Sequence, residues 1–245
     1  MRARDILILT CGETAPSVRI RLGSYDRWFQ EALGGAVRPH VVAGHLGAPL
    51  PDPRRFDAVI ATGSPRSVTE GAPWMRRAAE WLLSAAEHRV PVLGVCFGHQ
   101  LLGAALGGRV RRSPRGREIG TVACTLTEAG RADPLFDGVP GTFEVQTTHE
   151  DEVEPAPPGA LALATNGHSA LQAFRAGAFL RGVQFHPEMS QAQIAALAVA
   201  RATALGAEAR ARGDDPAGRV RAVLGGVRPT PWGARVLENF LSGGR

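Results

Sequence analysis

The sequence predicts an α/β fold: a three-layer, mostly parallel, doubly wound sheet with a small antiparallel extension. Three observations point there. Up to Gly107, short apolar runs alternate with stretches of helical periodicity, the signature of successive β–α–β units. The run Val90–Val95 stops abruptly in Gly94-Val95-Cys96-Phe97-Gly98 and a helical pattern follows at once, so a buried strand turns sharply into a helix. Beyond Gly120 the pattern changes to short β-like segments separated by glycine and proline turns.

Taken in order, Ile6–Leu9 is a purely apolar run and reads as the first strand. Arg21–Leu33 reads as a helix ended by Gly34-Gly35, and Arg38–Ala43 as a second strand. Gly47 to Pro53 holds three prolines and is a loop. Phe56–Thr62 reads as strand three. Pro73–His88 reads as a helix, because proline suits the first turn and Trp74, Ala78, Trp81 and Leu82 recur on one face. Val90–Val95 is strand four, and Gln100–Leu106 the helix after the bend, stopped by Gly107-Gly108. Thr121–Leu126, Phe143–Thr147, Ala160–Ala164, Leu171–Arg175 and Phe179–Phe185 form the antiparallel extension and return to the main sheet. The Ala-rich stretch Gln191–Arg212 reads as helix, broken by Gly213-Asp214-Asp215-Pro216, and Val236–Leu241 as a closing helix. No composition shift divides the chain, so one domain is expected over residues 1–245.

Composition narrows the function classes. A chain of 245 residues with 44% apolar content buries about 70–75% of its unfolded surface without covalent staples. Three cysteines (Cys11, Cys96, Cys124) lack framework spacing, which implies reduced thiols and a reducing, cytoplasmic setting. No run approaches the roughly 18–20 apolar residues of a membrane helix, and Ile6–Leu9 is too short for a signal-peptide core. The net charge is +5, yet all 28 basic residues are arginine, a compositional bias rather than a tuned patch. The densest cluster, Arg109, Arg111, Arg112, Arg115 and Arg117, lacks the interleaved aromatics of single-strand binders. Neither nucleic acid nor a membrane is expected as a partner. No P-loop, dinucleotide fingerprint or metal-ligand spacing occurs, so no cofactor and no metal are expected.

The chemistry concentrates at the bend. Gly94-Val95-Cys96-Phe97-Gly98 has the layout of a nucleophile elbow, where small residues let the backbone turn tightly and present one side chain above the sheet. A cysteine there sits at a helix N-terminus, whose partial positive charge favours an anion. About 90 positions downstream, Val183 and Phe185 alternate with Gln184 as in a strand that ends at His186, and Pro187 takes the chain out of the sheet. Strand C-terminal ends share one edge of a doubly wound sheet, where such folds place their sites. His186 is therefore the candidate base and acid for Cys96, with Glu188 as the carboxylate that orients its ring.

Gly94-Val-Cys96-Phe-Gly98-His-Gln100 together with Gln184-Phe-His186-Pro-Glu188 resembles the class I, triad-type glutamine amidotransferase family. Val59-Ile-Ala-Thr-Gly63-Ser64-Pro65 resembles that family's oxyanion strand and loop, and Arg117-Glu118-Ile119-Gly120 is a fourth matching segment. The resemblance runs in family order from about Ile6 to about Glu188, and Val236–Leu241 resembles the closing helix. Within the family, Cys11–Pro16 and Gly23–Phe29 are similar to the opening of stand-alone proteins related to the amidotransferase half of GMP synthase.

The resemblance implies a flavodoxin-like scaffold and a Cys96–His186–Glu188 triad that hydrolyses the side-chain amide of L-glutamine through a γ-glutamyl thioester. It implies an oxyanion hole at the backbone of Gly63 and Phe97. Substrate contacts are implied at Ser64, Gln100, Glu118 and Gly120, and at Thr148 and His149, where Thr148-His149-Glu150-Asp151 departs from the family's Ser/Gly-rich His-Gly-Asp stretch through bulkier Thr and Glu. Nothing in the chain could activate an acceptor, so ammonia is expected to pass to a separate synthetase. The alternatives are a stand-alone γ-glutamyl hydrolase or peptidase acting on other γ-glutamyl amides, and a catalytically quiet binding module.

Overall fold

The computed structural model describes residues 3–243, so residues 1, 2, 244 and 245 of the expected domain lie outside the described residues. Strand β1 (Arg4–Leu9), apolar on both faces over Ile6–Leu9, lies second from one edge of a nine-stranded sheet. It is followed by helices α1 (Pro16–Leu22) and α2 (Tyr25–Leu33), strand β2 (Val37–Val42), strand β3 (Ala58–Ala61), helix α3 (Pro73–Glu87), strand β4 (Val92–Val95) and helix α4 (Phe97–Ala105). Then come β5 (Val110–Arg112), β6 (Glu118–Leu126), the single turn α5 (Glu128–Arg131), β7 (Thr142–His149), β8 (Asp151–Val153), β9 (Leu161–Thr165), β10 (Ala173–Ala176) and β11 (Leu180–Val183). Helices α6 (Gln191–Ala200), α7 (Ala202–Ala211), α8 (Pro216–Gly226) and α9 (Pro231–Ser242) complete the chain.

The sheet order is β2-β1-β3-β4-β11-β10-β9-β6-β7. The first five strands in that order run parallel. The remaining neighbours pair antiparallel, so the extension continues the main sheet rather than sitting apart from it. Strands β5 and β8 form a separate antiparallel pair. Pro39 is accommodated in β2 because that strand is at the sheet edge, where a missing N–H leaves no ladder gap.

Alternation along β1 sends Ile6 and Ile8 to one layer with Phe29, Val236 and Phe240, and Leu7 and Leu9 to the other with Met75, Leu82 and Leu101. Helices α2 and α9 therefore cover one face, and α3 and α4 the opposite one. In α3 the buried positions Met75, Ala78, Leu82 and Ala85 follow the helical repeat, and full burial of a side chain such as Leu82 contributes about 1.5–3 kcal/mol. A third cluster, with Trp28, Ile194, Leu197, Leu205 and Val223, packs α6, α7 and α8 against the α1–α2 corner and Ile119 of β6.

Local signals account for the differences from expectation. The helix expected over Arg21–Leu33 is two helices, because Gly23 takes a left-handed φ of 80° and turns the chain. The stretch Gln191–Arg212 is likewise interrupted, at Arg201. Pro216 opens α8 instead of only ending what precedes it. Asp215 caps that helix by accepting from the N–H groups of Ala217 and Gly218, and proline fits a first turn whose N–H groups lack intrahelical partners. Pro231 does the same for α9, which starts well before Val236.

The parallel core delivers a tight bend between β4 and α4. A Cβ added at Gly94 would lie 2.5 Å from the carbonyl oxygen of Gly98, and one at Gly98 would lie 2.4 Å from that of Ala61 in β3. Backbone meets backbone at both places, so no side chain can move aside. Gly98→Ala is expected to destabilise the fold by about 1–3 kcal/mol or more, read as a lower urea midpoint at unchanged slope.

Candidate active site

Cys96 occupies the N-cap of α4 with φ 52° and ψ −99°, a left-handed conformation that costs a non-glycine residue about 1–3 kcal/mol. Its backbone is held from both sides: the N–H donates to Val183 O at 2.8 Å, and the carbonyl accepts from Gln100 N at 3.0 Å. The thiol lies 3.8 Å from Thr148 O. The two other cysteines do not compete for the nucleophile role, because burial pushes Cys11 up to about 12 and Cys124 higher still. All three are free thiols.

His186 arrives beside Cys96 because β11 runs parallel to β4 in register, with Val183 opposite Val95. Past the strand end, His186 N–H donates to Gln146 O of β7 at 2.8 Å, which fixes the backbone under the imidazole. Nδ1 lies 2.7 Å from Glu188 Oε1, and both side chains are essentially sealed from solvent. Nε2 meets no nitrogen or oxygen, and the other side chain that acts on the ring is Cys96. Burial alone would lower the His186 pKa, but the charges of Glu188 and Cys96 outweigh it and push the imidazole up to about 10. The protonated ring is thus the favoured form at neutral pH. Gly63 faces the same ring, since a Cβ there would approach His186 Cε1 to 2.8 Å. Phe97 is the first residue of α4, so its N–H has no intrahelical acceptor.

A cleft of about 200 Å³ opens over Cys96, bounded by Ser64–Ser67, Gln100, Arg117, Thr148–Asp151 and Arg201. Its size suits a metabolite rather than a macromolecule. Ser64, Gln100, Thr148 and His149 all border it, whereas Glu118 and Gly120 do not. Glu118 lies behind, where its carboxylate meets His149 Nε2 at 2.9 Å and accepts from Asn166 Nδ2 at 2.7 Å and Gln172 Nε2 at 2.8 Å. Although burial opposes its charge, His149, His168 and Asn166 hold it below the usual carboxylate range, and it props His149. Gly120 faces Val223 of α8. The Gln100 amide donates to Asp151 O at 2.9 Å and to Gln184 Oε1 at 3.1 Å, which leaves its own carbonyl oxygen for a ligand N–H. His99 is buried against Phe174, and burial lowers its pKa to about 3, so its ring is neutral.

Two residues of the site were not marked by any motif role. Tyr25 is buried with its ring parallel to that of His186, centroids 6.0 Å apart. Arg201, between α6 and α7, donates to Thr148 Oγ1. Only packing of α2 and α6 against the sheet edge brings them here. The arginine cluster is largely neutralised: Arg111 pairs with Glu152, Arg112 with Glu150, and Arg117 with Glu150 and Glu208. Among the described residues no group of three or more His, Cys, Asp or Glu converges to hold a metal ion, and no helix is long and apolar enough to cross a membrane.

The chain is similar to known proteins over this same region. A family model described as glutamine amidotransferase class-I matches residues 47–199. A glutamine-hydrolyzing GMP synthase of Thermosipho melanesiensis is 38% identical over 138 residues, covering 56% of this chain and 25% of that protein. One from Parafrankia sp. is 41% identical over 140 residues, covering 56% and 24%. The chain thus spans about a quarter of the length of the curated relatives it matches. Among solved structures, a glutamine amidotransferase from Methylobacillus flagellatus superposes with a TM-score of 0.71 at 24% identity, over 98% of this chain and 95% of that one. Another, from Thermotoga maritima, gives 0.71 at 18% identity over 98% and 99%. At these identities the two structures speak for the fold.

Replacing Glu188 by Gln removes the larger of the two influences that oppose desolvation of His186. The imidazole pKa is then expected to fall from about 10 toward or below its ordinary value, which histidine-selective NMR titration reads directly. A midpoint unmoved by Glu188→Gln would assign the upward shift to Cys96 alone.

Proposed function

The chain belongs to the class I glutamine amidotransferase family, and on that footing we propose that it hydrolyses the side-chain amide of L-glutamine through Cys96, His186 and Glu188. One observation carries the reading. A cysteine held in a left-handed bend at a helix N-terminus, and a buried imidazole–carboxylate pair from far downstream, meet at the same sheet edge. A positive φ at a non-glycine residue and a buried imidazole–carboxylate pair are each costly in isolation.

Cys96 Sγ attacks the amide carbon, and the carbonyl oxygen gains negative charge beside the backbone N–H groups of Phe97 and Gly63. One such donor contributes about 3–4 kcal/mol in the transition state. The His186 imidazolium gives its proton to the departing nitrogen, ammonia leaves, and a γ-glutamyl thioester remains. His186, now neutral, takes a proton from water as that water attacks the thioester. The sulfur leaves as thiolate, glutamate is released, and the thiolate–imidazolium pair that began the cycle is restored. Glu188 keeps Nδ1 protonated so that Nε2 faces the reaction, and Ser64, Gln100, Thr148 and His149 line the substrate's path. Ammonia then passes to a separate synthetase, a step supported by the match to one quarter of glutamine-hydrolyzing GMP synthases. The arginines bordering the cleft favour a second reading, hydrolysis of other γ-glutamyl amides by the same triad.

Cys96→Ala is expected to reduce release of ammonia by at least about a thousandfold. Diazo-oxo-norleucine, a glutamine-shaped electrophile, is expected to label Cys96, as identified by peptide mass spectrometry. Full turnover in the variant would refute the triad. Glutamine and γ-glutamyl dipeptides assayed side by side decide between the two substrate readings.

A further inference from the structure

The cations around the cleft beside Cys96, which Glu150 and Asp151 also line, are unequally compensated. Three guanidinium groups border it. Arg66 pairs with Glu70 at 2.6 Å, and Arg117 pairs with Glu150 and with Glu208. Arg201 differs from both. Among the described residues it makes no ion pair, and its polar neighbours are the hydroxyl groups of Thr148 and Tyr25. A neutral hydroxyl orients a guanidinium without cancelling its charge or using up its fork of donors. Arg201 also stands close enough to Arg117 to add to its strain: burial first, and then the Arg201 charge, hold Arg117 below its ordinary value. An anion between or beside these two groups would relieve that repulsion. Among the described residues, Arg201 is thus the cleft guanidinium left without a carboxylate partner.

Position suggests which anion. Thr148 joins the two halves of the site, its carbonyl oxygen 3.8 Å from Cys96 Sγ and its hydroxyl accepting from Arg201. The reacting sulfur and the uncompensated guanidinium are thus separated by the width of one residue. In a γ-glutamyl compound the α-carboxylate lies four bonds from the carbonyl carbon that the sulfur must attack, a matching span. A planar carboxylate meeting a guanidinium makes two parallel charge-assisted hydrogen bonds, which fixes orientation as well as affinity. Arg201 also lies outside the segment matched to the family, at the break between α6 and α7 where φ is −100° and ψ is 8°. That break turns its side chain toward the cleft rather than along the helix surface.

We propose that Arg201 is the carboxylate anchor of this site and restricts it to L-γ-glutamyl compounds bearing a free α-carboxylate; this rests on the amide-hydrolysis reading above. Arg201 determines specificity and Thr148 positions it. The test uses the full-length Cys96→Ala protein, which binds without turnover, and compares L-glutamine with its α-amide by calorimetry. L-Glutamine is expected to bind at least about tenfold more tightly than the α-amide. Adding Arg201→Met should abolish that preference by weakening L-glutamine alone, Arg201→Lys should restore part of it, and Thr148→Val should reduce it. Thermal melts of each variant check that the fold is retained. With Cys96 intact, Arg201→Met should raise KM for the hydrolysed substrate while kcat changes little. A preference that survives Arg201→Met, or no binding of L-glutamine at all, overturns the proposal. If the Cys96-intact protein hydrolyses nothing, the amide-hydrolysis reading fails separately, and the binding comparison still decides the role of Arg201.

Discussion

The site depends on close approach of three backbone segments. Gly94 of β4 touches the backbone of Gly98 in α4, and Gly98 touches that of Ala61 in β3. With those contacts in place the chain between β4 and α4 has no room for an ordinary turn, and Cys96 is driven to a positive φ. Hydrogen bonds to Val183 and Gln100 lock the conformation. A left-handed cysteine is unfavourable in isolation, and it persists because the buried sheet on one side and the buried helix on the other over-determine it. The same geometry places the sulfur above the sheet edge with its helix directly behind it.

Register does the rest. Because β11 pairs with β4 in parallel, both strands end at the same edge, and the residues just past each end become neighbours despite their distance in sequence. His186 is secured from three directions: its backbone on Gln146, its Nδ1 on Glu188 and its ring face along Tyr25. A histidine this deeply buried would ordinarily be neutral, as His99 is a short distance away. The contrast between the two rings has one cause. His186 has Glu188 and Cys96 beside it and His99 has no such partner, so desolvation loses for one and wins for the other.

Much of this was legible in the chain itself. Gly94 and Gly98 flank a cysteine at the end of an apolar run, a pattern with few structural solutions other than a tight strand-to-helix bend. Gln184-Phe185-His186-Pro187 ends a strand and leaves the sheet, which puts an imidazole at an edge. Elements whose period matched their environment, such as β1 and α3, were equally plain. Harder to read were places where one residue type serves two purposes. Pro216 and Pro231 interrupt a helical pattern and also start a helix, and only the Asp215 cap separates those meanings for α8. Gly23 lies inside a plausible helical stretch, but its left-handed φ divides it. Glu118 carried a family-like signature, yet its carboxylate is enclosed by His149, Asn166 and Gln172, a buried polar network that no local pattern reveals.

By itself the sequence determined the α/β class, the bend at Cys96 and a strand that ends at His186, because each follows from local periodicity, glycine placement or the ends of strands. Tertiary structure alone decided that Arg201 borders the cleft and Tyr25 stacks on His186, that Glu118 stands behind the cleft, and that most of the arginine cluster is neutralised. Those outcomes depend on how α2, α6 and α7 pack across the sheet edge and on which charges burial brings within reach of one another. Charge compensation between side chains distant in sequence is a property of the assembled surface, and it has no counterpart in the periodicity of any single segment.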